Sequence, residues 1–86
     1  MSAVRYSKHG TGAGTAEFTE RRHTFTLTNL DGANRLWFAF DTGAHSAGAD
    51  ETLVVEPNSQ REVTLRGGSH IVQVVAGDEW HIEAVS

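Results

Sequence analysis

From His23 onward the chain alternates apolar and polar side chains with a period of two, in short runs rich in Thr, Val and aromatic residues. That pattern specifies strands with one buried and one solvated face. His23-Thr24-Phe25-Thr26-Leu27-Thr28 sets Phe25 and Leu27 on one face and threonines on the other, while Arg35 to Phe40 turns Leu36, Phe38 and Phe40 inward and Arg35, Trp37 and Ala39 outward. Thr52 to Glu56 presents Leu53 and Val55, and Arg61 to Arg66 presents Val63 and Leu65. Ser69 to Val75 is almost continuously apolar, as suits the centre of a sheet, with Val72 and Val74 assigned to the core over Ile71, Gln73 and Val75. In the last run Trp80, Ile82 and Ala84 alternate with His81 and Glu83. No stretch shows the i, i+3, i+4 apolar spacing of a helix.

Turn signals separate these runs. Asn29-Leu30-Asp31-Gly32 carries the Asp-Gly pair favoured in hairpins, which predicts that the strand through Thr28 pairs with the strand from Arg35. Pro57-Asn58, Gly67-Gly68 and Gly77-Asp78 mark further reversals. The expected fold is all-β: a small antiparallel β-sandwich (jelly-roll or Ig-like) or flattened barrel of six to seven strands. Ser7 to Thr15 (SKHGTGAGT) holds three glycines among small polar residues and reads as a flexible linker. The expected division is therefore a flexible N-terminal arm over 1–16, with Val4 and Tyr6 as a short strand or hook, and a sandwich over 17–86 in which Phe18 is the first core residue.

Eighty-six residues make one domain with a thin core, since a chain of this size buries only about 60 to 65% of its unfolded surface. There is no cysteine, so disulfides and thiolate metal sites are excluded and association with other subunits is the remaining source of added stability. Residues 1–22 carry Arg5, Lys8, Arg21 and Arg22 against Glu17 and Glu20, whereas the rest holds three arginines against nine acids. Such an acidic body is unsuited to phosphate contacts, so nucleic acid is not an expected partner. No run approaches the length of a membrane-spanning helix and no Sec-type leader is visible, so the chain is expected to be soluble, without a membrane partner.

Few residues suggest chemistry. Phe38-Ala39-Phe40-Asp41-Thr42-Gly43-Ala44 resembles the stretch around the catalytic aspartate of aspartic and retroviral-type proteases, in which two carboxylates share a proton and a homodimer supplies one from each chain. His45 is foreign to that motif, and the sequence after Gly43 is short for a flap and a second apolar-Gly element. The plainer reading is a strand ending in an Asp-Thr-Gly turn, followed by an exposed loop from Asp41 to Glu51. The five histidines follow no metal-binding spacing, and Gly10-Thr11-Gly12-Ala13-Gly14 lacks the Lys and hydroxyl of a phosphate-binding loop. No catalytic residue, cofactor or metal is expected. Arg35 and Trp37, adjacent on an outward face, are of the types enriched at interface hot spots, and with Tyr6 they are the expected contact residues. The alternative is a carbohydrate-binding or adhesion module using Trp37 or Trp80 with the loop from Asp41 to Glu51.

Taken together, Thr26-Leu27-Thr28-Asn29, Leu36-Trp37-Phe38-Ala39-Phe40, a small-residue loop, Leu53-Val54-Val55-Glu56-Pro57-Asn58 and the valine-rich strands that follow resemble a pattern among small accessory structural proteins of tailed bacteriophage virions. Asn58 stands where glycine is commoner in that pattern. The resemblance implies a decoration or head/tail-associated protein of the particle, assembled in the host cytoplasm, whose partners are itself and the major capsid or other virion proteins. Among closed homo-oligomers a trimer is the favoured expectation.

Overall fold

The computed structural model describes residues 5–41, 43–50 and 52–85, which form six antiparallel strands: β1 (Arg5–Thr11), β2 (Gly14–Asn29), β3 (Leu36–Ala39), β4 (Leu53–Val55), β5 (Gln60–Ala76) and β6 (Glu79–Val85). Pairing is nested, β1 with β6, β2 with β5 and β3 with β4. Two further ladders wrap this ribbon into the order β1-β6-β2-β5-β3-β4: Thr24 to Asn29 of β2 pair with β6, and Gln73 to Ala76 of β5 pair with β3. The long strands β2 and β5 thus contribute their two halves to different layers. One layer is β1, β6, the second half of β2 and the first half of β5; the other is the first half of β2, the second half of β5, β3 and β4. The result is the expected antiparallel sandwich, wound in the jelly-roll manner.

Strands that change layers need an irregularity at the corner. In β2 the ladder is broken between Glu17 and Arg22 and again between Arg22 and Thr24. The buried phase switches there, from Ala16, Phe18 and Arg22 to Phe25, Leu27 and Asn29. In β5 the partly buried Val63 and Leu65 give way, beyond Ser69, to fully buried Val72 and Val74. Gly68 bridges this corner at φ +71°, where a Cβ would lie 3.0 Å from the Arg22 carbonyl oxygen. Between the layers Phe18, Phe25, Phe38 and Phe40 form a chain of ring contacts, joined by Leu27, Leu36, Val55, Val72, Val74, Trp80 and Ile82.

The assignment of Val72 and Val74 to the core agrees with the structure, in which Ile71, Gln73 and Val75 are only partly buried. Four other expectations need correction. Residues 5–11 of the expected arm are strand β1, in register with β6 from Arg5–Val85 to Thr11–Glu79, and Gly14 to Ala16 already belong to β2; residues 1–4, including Val4, lie outside the described residues. Gly10 serves close approach here, since a Cβ on it would lie 2.7 Å from the Trp80 ring, while Gly12 takes φ +76° and its carbonyl accepts from Trp80 Nε1 at 2.9 Å.

The hairpin expected across Asp31-Gly32 does not form, because β5 separates β2 from β3. Buried Asn29 shapes this connection instead. Its Nδ2 donates to the carbonyls of Asn34 (2.7 Å) and Val55 (3.1 Å), its Oδ1 accepts from the Asp31 amide, and Asp31 Oδ2 in turn accepts from the Asn34 amide. These local bonds carry the chain from one layer to the other. Gly67-Gly68 does not reverse the chain but lies within β5, and Ala39, expected outside, is buried.

Candidate functional site

The contact residues expected from sequence fall in two places. Arg35 and Trp37 share one groove of about 360 Å³, with Asn34, Ala47, Ala76 and Gly77 as its other walls. Trp37 is half-buried there, opposite Val54 of β4 and Ala76 of β5, because the outer face of β3 meets the small residues that end β5. Arg35 is 60% exposed, and its Nε donates to Glu56 Oε1 at 3.0 Å across the β3–β4 edge. An ion pair this exposed contributes little to stability, which leaves the guanidinium's other nitrogens for an outside partner. Tyr6 is at the other end of the sheet order, on β1, packed against the core.

The Tyr6 ring carries the Arg22 guanidinium, whose Cζ is 3.7 Å from the ring centroid. Arg22 is only 3% exposed, its Nη1 is 3.7 Å from Glu20 Oε2, and its Nε and Nη2 have no hydrogen-bond partner among the described residues. Sequence reasoning missed this residue. Its burial follows from the ladder break at the corner, which the alternation of Phe25 and Leu27 extended backward does not reveal. Stacking on an aromatic face supports a guanidinium where hydrogen bonds do not.

Asp41 follows β3 in an exposed turn, as its sequence suggests. Its Oδ1 lies 2.6 Å from His45 Nε2 and accepts from the Gly43 amide at 2.8 Å. The bond from His45, and then the Gly43 amide, hold its carboxyl below the ordinary range. A carboxylate held ionised by a histidine and an amide is unlike one that shares a proton with a second carboxylate. Thr42 of that motif lies outside the described residues.

His45, with its side chain 9% exposed, also borders a second groove, of about 420 Å³, together with Thr15, Gly43 and Gln73. Gln73 Nε2 donates to the Gly43 carbonyl at 3.3 Å and so ties this loop to β5. Of the other histidines, His9 and His81 stack across β1 and β6 with centroids 6.5 Å apart, and no group of three or more metal-ligating side chains occurs among the described residues. Trp80 is closed as a sugar platform, since it is 6% exposed and its Nε1 is already bonded. Compared with family models, curated proteins and solved structures, the chain matches none.

Proposed function

We propose that this chain is a noncatalytic structural protein of a tailed-phage particle, present in symmetric copies and acting through protein–protein contacts. The observation that carries the reading is the open sheet: in a sandwich with a thin core, β1 and β4 have no strand neighbour on one side among the described residues. Unpaired edges on so small a domain invite completion by a neighbouring chain. The setting on a virion rests on the resemblance of residues 24–86. Arg35 and Trp37 supply an anchor pair for contact with other virion proteins. Mass spectrometry of purified particles of the virus encoding the chain tests the proposal: the chain is expected in fixed stoichiometry with the capsid or tail proteins, and its absence from washed particles contradicts it.

The Trp37 groove favours one second reading. An aromatic face flanked by the Asn34 amide and the Arg35 guanidinium has the makings of a saccharide subsite. Quenching of tryptophan fluorescence by a glycan, lost in Trp37→Ala, supports that reading; no response across a glycan panel removes it.

A further inference from the structure

We propose that the free edge of β5 pairs with the same edge of a second copy of this chain, antiparallel, about a two-fold axis through Thr64. Among the described residues four strand edges lack a neighbour: β1, β4, β2 around residues 14–22, and β5 over residues 60–66. Three of these are poor joints for a second copy. The charged residues of β1 are cations only, and β4 is three residues long. On β2 the ladder is broken beyond Glu17, and Arg21 Nη1 is occupied by the Gly67 and Gly68 carbonyls at 3.4 and 3.3 Å.

The edge of β5 differs in being self-complementary. Its ladder to β2 is regular from Gln60–Thr28 to Thr64–Thr24; beyond Thr64 the ladder shifts register, but the alternation of exposed and half-buried side chains continues through Arg66, and the segment contains no proline. Glu62, Thr64 and Arg66 are exposed on one face, and Val63 and Leu65 are half-buried against the core on the other. With the axis on Thr64, Glu62 of each copy faces Arg66 of the other, Val63 faces Leu65, and Thr64 faces itself. Residues directly opposite bring their Cβ atoms to about 4.5 to 5.5 Å, within reach of an ion pair or an apolar contact. Moving the axis to Val63 sets Arg61 against Leu65, and moving it to Leu65 leaves Glu62 opposite Gly68, so of these three registers only the Thr64 axis matches both charges and both apolar side chains within residues 62–66.

Neither the Glu62 nor the Arg66 side chain makes a hydrogen bond or ion pair within its own chain among the described residues. Charges on an edge ordinarily repel a second strand. Here opposite signs at symmetric positions select a single partner, another copy of the chain. The pairing joins the two layers that contain β1, β6, β2 and β5 into one continuous sheet, and brings Val63 and Leu65 further out of water.

The inference rests on the assembly reading given above and names the joint, so its test must separate the two. Sedimentation velocity is measured over a concentration series for the wild type, Glu62→Arg, Arg66→Glu, their equimolar mixture and the double swap. The wild type is expected to dimerise. Each single swap places like charges at both cross-strand positions and weakens the dimer on the order of tenfold to a hundredfold. The mixture of single swaps, and the double swap alone, regain it because opposite charges face each other again. Far-ultraviolet circular dichroism of the single swaps is expected to match the wild type, both side chains being exposed. A wild type that stays monomeric contradicts this inference, while particle association remains a separate measurement. An assembly indifferent to all three variants keeps the assembly reading and overturns this joint.

Discussion

The two halves of β2 have opposite characters. Its second half, from Thr24 to Asn29, is a regular strand held on both sides, by β5 and by β6, and two of its three buried side chains are Phe25 and Leu27. Its first half is paired on one side only, ends in a broken ladder, and buries a guanidinium. Ser69, opposite Arg22 on β5, is buried as well, its Oγ bonded to the Phe40 and Ile71 carbonyls and to the Ile71 amide. The corner therefore concentrates buried polar groups, because a strand changing layers cannot keep both its ladder and its apolar phase.

Substitutions should separate these regions clearly. Phe25→Ala, in the regular half, is expected to cost about 3 to 5 kcal/mol through the cavity it leaves, enough to unfold much of a marginal domain; a shift under about 1 kcal/mol in urea denaturation contradicts its place in the core. Gly10→Val brings a side chain against Trp80 and should cost about 1 to 3 kcal/mol by overpacking. The same substitution in a flexible arm would be neutral, so equal denaturation midpoints would restore the arm. Arg22→Met, at the corner, should be nearly neutral or stabilising, since two of its nitrogens lack partners among the described residues and a buried charge is costly to keep. A loss above about 3 kcal/mol would mean that Arg22 has a partner that this geometry lacks.

The smallest effect lies in the turns. Asp41 is held ionised by His45 and then Gly43, and Asp31 by the Asn34 amide, so both folded-state pKa values lie below the ordinary carboxylate value of 3.8. Groups with depressed values add stability above that pH and lose it as pH falls through the folded value. The denaturation midpoint should therefore fall on acidification below about pH 4, and Asp31→Asn with Asp41→Asn together should flatten that slope. An unchanged slope would show these bonds to be unimportant.

The sequence was most legible where one phase of burial persists. Phe25, Leu27, Leu36, Phe38, Val72, Val74 and Ile82 were assigned correctly because each is buried in step with a period of two in its own run. Phase changes were invisible: the corner at Arg22 and the passage of β5 through Gly67-Gly68 look like a charge run and a turn. β1 was misread because glycine signals flexibility by composition, while in this fold Gly10 makes room for the Trp80 ring, a contact 70 residues away in sequence. Arg35 and Trp37 were found as an outward pair, but the groove they border depends on Ala47, Ala76 and Gly77, none of which signals a binding surface by its residue type.

Amide hydrogen exchange at two protein concentrations tests the central claim most directly, namely that a fully wound sandwich with β1 inside it presents a free β5 edge to a second copy. The account predicts that the Lys8 and Gly10 amides, which bond to β6, are protected at both concentrations, while protection within residues 62–66 rises at the higher concentration. Free exchange across β1 at both concentrations, or protection of residues 62–66 that does not change with concentration, would contradict it.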